Sequence, residues 1–194
     1  MPSTRYADQN RLAVSGRVTL AFLSEGYATP VARICERAGV AERTFYRYFP
    51  TKAEAIRPVL EHGIDLVAAE LRENEGGELE EVLVAAFARS LWGERGVTTA
   101  RLVPLILAEP ALYAVWLSTI RAFEAALGQA IQPWLRRPVS DLERHVIAGV
   151  LVTAMRISFE ESAVEGADAV NVYRSALTAV DLPALLWGRS AGKE

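Results

Sequence analysis

Apolar residues recur at spacings of three and four along nearly the whole chain, and no stretch alternates as a half-buried strand would, so the pattern predicts an all-α protein. A first helix is expected over Asn10–Glu25, with Val14, Val18, Ala21 and Phe22 turned inward and Gly26 as its stop. Thr29-Pro30 has the form of a second start, Thr as cap and Pro at the first helical position, and that helix should end at Ala38-Gly39. A short third helix over Ala41–Phe49 is closed by Pro50. Thr51 and Glu54 then form a capping box for a long fourth helix reaching Glu73. Beyond the acidic, glycine-containing corner ENEGGELEE, further helices are predicted at Glu78–Trp92, Thr98–Leu107 with a kink at Pro104, Pro110–Gln132, Asp141–Ala163 and Asp168–Val180. Ser140 and Glu143 make a second capping box, and a last helix resumes at Leu182 after Pro183.

Within this pattern one segment is anomalous. In ERAGVAERTFYRYFPTKAEAI, the rings of Phe45, Tyr46, Tyr48 and Phe49 crowd between basic residues. On a helix Phe45 and Phe49 share a face and Tyr46 does not, so part of the cluster is left for a partner. Two short helices joined through Gly39 have helix-turn-helix spacing, with Val31, Ile34, Ala38, Val40, Phe45 and Phe49 as core and Cys35 as a compact filler.

Charge sharpens the division. The chain carries a net charge of −3, yet residues 1–60 hold nine basic against five acidic side chains and residues 61–194 twelve against nineteen. A basic head precedes an acidic body, the asymmetry expected when one end meets nucleic acid. With 194 residues, 51% of them hydrophobic, the chain can bury a sizeable core. A single cysteine excludes an internal disulfide framework and suits a reducing cytoplasm. Two isolated histidines give no metal-ligand pattern and no recognisable catalytic spacing. Neither a secretory leader nor a membrane span is expected, and no cofactor is called for.

The segment VARICERAGVAERTFYRYFPTKAEAI, extended back through LAFLSEGYATP, resembles the DNA-binding segment of the TetR family of transcriptional regulators over about residues 10–56. The resemblance implies a nine-helix or similar all-α homodimer. An N-terminal three-helix helix-turn-helix domain, residues 1–50, would grip double-stranded operator DNA, and a helical ligand-binding and dimerisation body, residues 51–194, would control the separation of the two heads. The loop GYATP is one residue shorter than the commoner family pattern. Ala41 replaces a frequent capping Ser, a loss worth about 0.5–2 kcal/mol of helix stability.

On that assignment Thr29, Tyr46, Tyr48 and Lys52 are expected to position the phosphate backbone. Arg43, Thr44 and Glu42 are placed to read base edges, with Arg47 on the same partner-facing set. Glu42 has a second use, complementing the positive end of its own helix. Trp92, Tyr113, Trp116, Phe123, Met155 and Phe159 are spread over the central helices, where they line a small-molecule effector pocket or serve as ordinary core. Arg101 offers such a pocket an anion-binding group, as do Arg121 and Arg156, unless these side chains reach out to solvent. Dimerisation is expected through the last two long helices, by Leu142, Val146, Gly149, Val150 and Thr153 and by Val172, Tyr173, Ala176, Leu177 and Val180. The competing reading is a helical carrier or enzyme with an incidental helix-turn-helix; salt-dependent retention on random duplex DNA separates the two.

Overall fold

The computed structural model describes residues 2–74, 77–92, 99–135, 137–181 and 186. The described elements are helical: α1 Pro2–Glu25, α2 Val31–Ala38, α3 Glu42–Tyr48, α4 Arg57–Glu73, α5 Leu79–Trp92, α6 Thr99–Ala108, α7 Pro110–Ala130, α8 Asp141–Glu165 and α9 Ala169–Ala179. No strand occurs among the described residues. None of these helices is by itself long and apolar enough to cross a membrane.

The chain packs as two units. The first comprises residues 1–63 and 92–119, the second 64–91 and 120–194. In the first, Val14, Val18, Ala21 and Phe22 of α1 are buried as their spacing predicts, together with Ile34, Cys35 and Ala38 of α2 and Leu102, Val103 and Ile106 of α6. The buried Ser15 hydroxyl donates to the Ala55 carbonyl at 2.6 Å, satisfying both groups where α1 meets the turn before α4. In the second unit, the ring of Phe87 of α5 packs at a tilt against Phe159 of α8 and Tyr173 of α9, with ring centroids 4.8 and 4.6 Å away. Helices α7 and α8 approach closely at Gly128, where an added Cβ would lie 3.5 Å from that of Ala148.

Several expectations are corrected. Helix α1 begins at Pro2, not Asn10. The intervening residues lack an apolar stripe, but Pro suits a first turn and nothing after it breaks the helix. Thr29 does not cap α2: its hydroxyl donates backwards to the Glu25 carbonyl at 2.7 Å, and Pro30 itself stands at the N-cap without a side-chain bond. The Thr51 box is only half formed. Glu54 N–H reaches the Thr51 hydroxyl at 3.3 Å, but the Glu54 carboxylate turns to Arg57, and a 3-10 turn over Ala53–Ile56 precedes α4. By contrast, Ser140 and Glu143 bond reciprocally, as a complete capping box. On α9, Tyr173 and Leu177 are wholly buried in the second unit and are removed from the expected dimer face. A helix resuming at Leu182 falls outside the described residues, Leu186 excepted.

Candidate nucleic-acid interface

The helix-turn-helix is built from the turn outwards. Helix α2 ends because Gly39 takes a left-handed conformation, φ 62° and ψ 42°, which lets its N–H reach Glu36 O and that of Val40 reach Cys35 O, at 3.2 and 2.9 Å. A Cβ at Gly39 would meet no neighbouring atom, so the demand for glycine is purely conformational. Gly39→Ala is therefore expected to cost roughly 1–2 kcal/mol, lowering the thermal midpoint by about 2–8 °C. An unchanged melting curve would show that the turn relaxes freely.

Helix α3 has seven residues and no side-chain cap at Ala41, so its own hydrogen bonds cannot hold it; packing must. Phe45 is inaccessible to solvent and Phe49 nearly so, their rings edge-on with centroids 5.3 Å apart. With that face locked inward, Glu42, Arg43, Tyr46 and Arg47 stand exposed, while Thr44 and Tyr48 lie half-buried on the flank. Tyr46 is 54% exposed although its ring leans edge-on against Phe45, an anchored ring with its hydroxyl outward. Arg47 covers the Tyr48 ring at 5.1 Å, stiffening both side chains. A cationic, hydroxyl-bearing face on a helix fixed from behind can enter a major groove.

Lys52 is held differently from a solvated phosphate-binding lysine. Its ammonium donates to the carbonyls of Tyr27 and Thr29, the latter at 2.5 Å, and sits 4.5 Å above the Tyr27 ring. Two of its three donors are thus spent within the chain, and burial holds its pKa below the usual lysine range, against the nearby charge of Glu109. One donor and its charge remain, while the side chain chiefly staples the loop before α2 to the segment after α3. Thr29 likewise spends its hydroxyl proton on Glu25.

Two sets of residues here are not foreshadowed by the sequence reading. Tyr27 supplies the ring under Lys52 and packs against Phe22 at 5.4 Å; an aromatic beside the loop glycine was the available signal. Arg57 grips the Glu54 carboxylate at 2.5 and 2.8 Å and donates to the hydroxyls of Ser118 and Thr119, at 3.0 and 3.2 Å, joining the start of α4 to α7. The Arg57 hydrogen bond holds the Glu54 carboxyl below the ordinary range although burial opposes this. No sequence signal marked this latch, because its partners are more than sixty positions apart.

Of the expected pocket residues, Tyr113 and Trp116 belong to the first unit, 5.8 Å apart edge-to-face, as does the exposed Arg101. Phe123, Met155 and Phe159 are buried in the second unit. Trp92 closes α5. Arg156 is paired with Glu160 at 2.6 Å, and Arg121 is exposed.

Residues 21–56 match the family model of the bacterial regulatory proteins of the tetR family. The likeness to that family is therefore carried in sequence by this segment. The match covers α2, α3, their turn and Lys52, the elements from which the exposed face is built. The TetR-like fold extends over nearly the whole chain. It is similar to a crystal structure described as a TetR-family transcriptional regulator from Mesorhizobium loti, with a TM-score of 0.62 and 20% identity, covering 94% of this chain and 98% of that one. It is equally similar to FadR of Thermus thermophilus, a TetR-family transcriptional repressor solved with lauroyl-CoA, with a TM-score of 0.62, 21% identity and coverage of 95% and 97%. No curated protein matches the chain in sequence.

Proposed function

We propose that this protein is a DNA-binding transcriptional repressor that acts as a homodimer on double-stranded operator DNA and is released by a small-molecule effector. The observation that carries this reading is the exposed Arg43, Tyr46 and Arg47 face of a TetR-type α3 locked from behind by Phe45 and Phe49. Residues 1–50 are the DNA-binding head and residues 51–194 the body. Operator binding requires the compartment that holds the chromosome, the cytoplasm. The lauroyl-CoA carried by a protein of the same fold supports a small-molecule effector here.

Dimerisation is supported by α8. Leu142, Val146, Ile157 and Val164 are exposed by 74, 54, 39 and 78%, and a side chain added at Gly149 would meet nothing. At 100° per residue Leu142, Val146, Gly149, Thr153, Ile157 and Val164 fall within about 80° of one another around the helix, a continuous stripe suited to an isologous contact. Control then works through the distance between heads. Two recognition helices must enter successive major grooves roughly 34–36 Å apart, and an effector that favours a wider separation forfeits one half-site. A coupling of about 1–3 kcal/mol gives a 5- to 150-fold response.

The test compares two variants on specific and random duplexes. Arg43→Ala is expected to relax discrimination at one base position per half-site, at a cost of about 1–3 kcal/mol, with little change on random DNA. Lys52→Ala is expected to weaken binding to all duplexes alike, through loss of a positive charge and loosening of the loop it staples, and to reduce the salt slope by about one. Equal sequence preference and equal salt slope in the two variants would overturn the division of roles.

A further inference from the structure

Arg57, the first residue of α4, is bonded along two edges of its guanidinium. Nε and Nη2 take the two oxygens of Glu54 side-on, at 2.5 and 2.8 Å, while Nη1 and Nη2 donate to the hydroxyls of Thr119 and Ser118, at 3.2 and 3.0 Å. The direction of the last two bonds is fixed, because both hydroxyls spend their own protons on the Val115 carbonyl at 2.8 Å and can only accept from Arg57. Thr119 is buried, and the Arg57 and Glu54 side chains are only 23 and 28% exposed, so water and salt screen this cluster less than a surface pair. A lysine could not hold the arrangement: its donors leave from one point, whereas the planar guanidinium engages a carboxylate and two hydroxyls at fixed angles.

Both sides of the cluster lead onward within the first unit. Glu54 lies on the Ala53–Ile56 turn, which is pinned to α1 by the Ser15 bond to Ala55 O, and Glu61, one turn along α4 from Arg57, reaches Arg11 of α1 at 3.6 Å. Ser118 and Thr119 are the last residues of α7 in that unit, as Gly63 is the last of α4. A side chain at Gly63 would meet nothing and its φ is not left-handed, so neither space nor conformation calls for glycine there. Glycine inside a helix weakens it relative to Ala, so side-chain bonds must do more to hold the first turns of α4 in place. Segments joined in this way open together. We propose that Arg57 clamps the first half of α7 to the turn behind α3, so that the two segments open and close as one cooperative unit and a displacement of α7 is carried to α1. The further step, from this unit to control of DNA binding, rests on the operator reading above; the clamp itself does not.

The experiment is amide hydrogen exchange on the full chain, first without DNA. Arg57→Met is expected to speed exchange about tenfold in both 53–63 and 110–119 and to leave the α8 and α9 amides unchanged. Ser118→Ala combined with Thr119→Val removes the acceptors on α7 and keeps the Arg57–Glu54 pair. It should give the same paired increase, and adding Arg57→Met to it should change little more, since partners in one interaction are not additive. Arg72→Met, whose bond to the Ala68 carbonyl stays within α4, should change neither segment. Exchange that rises only around the mutated residue, additive effects of the two sites, or the same response to Arg72→Met would overturn the proposal. Should Arg57→Met fail to fold by circular dichroism, the Ser118 and Thr119 variant decides alone. A random-sequence duplex at low salt is then added. It is expected to slow exchange in 110–119 about threefold in the unsubstituted protein and not in Arg57→Met; a bound duplex with no effect there, or an equal effect in both, would overturn the transmission. A protein that bound no duplex would remove the operator reading, and the DNA-free exchange would still decide the clamp.

Discussion

Val146→Asp is expected to leave the protein monomeric at micromolar concentration and to weaken its binding to a two-half-site duplex by about a hundredfold or more. Val146 lies one turn into the exposed apolar stripe on α8, between Leu142 and Gly149, and is itself 54% exposed. A contiguous apolar face of this kind on a soluble helix marks an interaction surface. In an isologous contact the substitution enters from both protomers, so two carboxylates are carried into a desolvated apolar interface. The residues proposed to bind DNA are untouched, so a single half-site duplex should bind as before; what disappears is the second, effectively intramolecular, binding event. Sedimentation equilibrium and fluorescence anisotropy on one- and two-half-site duplexes check both parts. A variant that remains dimeric would move the interface off α8.

Phe45→Ala is expected to destabilise the protein by about 3–5 kcal/mol, lowering its thermal midpoint by roughly 6–20 °C. The removed ring is fully buried and lies against Phe49 and Tyr46, so its loss creates a cavity that the short helix cannot close without rotating. Because α3 has neither a side-chain cap nor the length to persist alone, this rotation disorders Arg43, Tyr46 and Arg47 together. Duplex affinity should therefore fall although every residue proposed to face the bases is still present. Calorimetric melting and anisotropy report the two effects; a full-affinity Phe45→Ala variant would mean that the helix is held by something other than its ring contacts.

The orientation of α3 was legible in the sequence because it depends on a local rule: Phe45 and Phe49 are one turn apart and both apolar, so they bury together and turn Arg43 and Tyr46 outward. The stops at Gly26 and Gly39 and the Ser140 box are equally local. Lys52 was not legible in this way. A lysine after a turn looks like a surface charge, and the carbonyls that hold it lie 25 and 23 positions earlier. The Arg57 latch has the same long-range character. On α9, periodicity found the apolar face but could not assign its partner. Tyr173 and Leu177 go into the core of their own unit, against Phe87 in the case of Tyr173, so the exposed stripe on α8 carries the dimer proposal. Thr29 shows the limit of cap signals: a hydroxyl between two helices can serve the end of the first as readily as the start of the second.

The central claim, a dimer that reads DNA with two copies of α3, is tested most directly by selecting duplexes from a random-sequence pool with the full-length protein and sequencing those retained. The expected result is a pseudo-palindrome whose two half-sites are centred about 10 base pairs apart or a multiple of that, the spacing that places two recognition helices in major grooves on one side of the duplex. Retention of duplexes with no enriched sequence, or of a single unrepeated site, would contradict it.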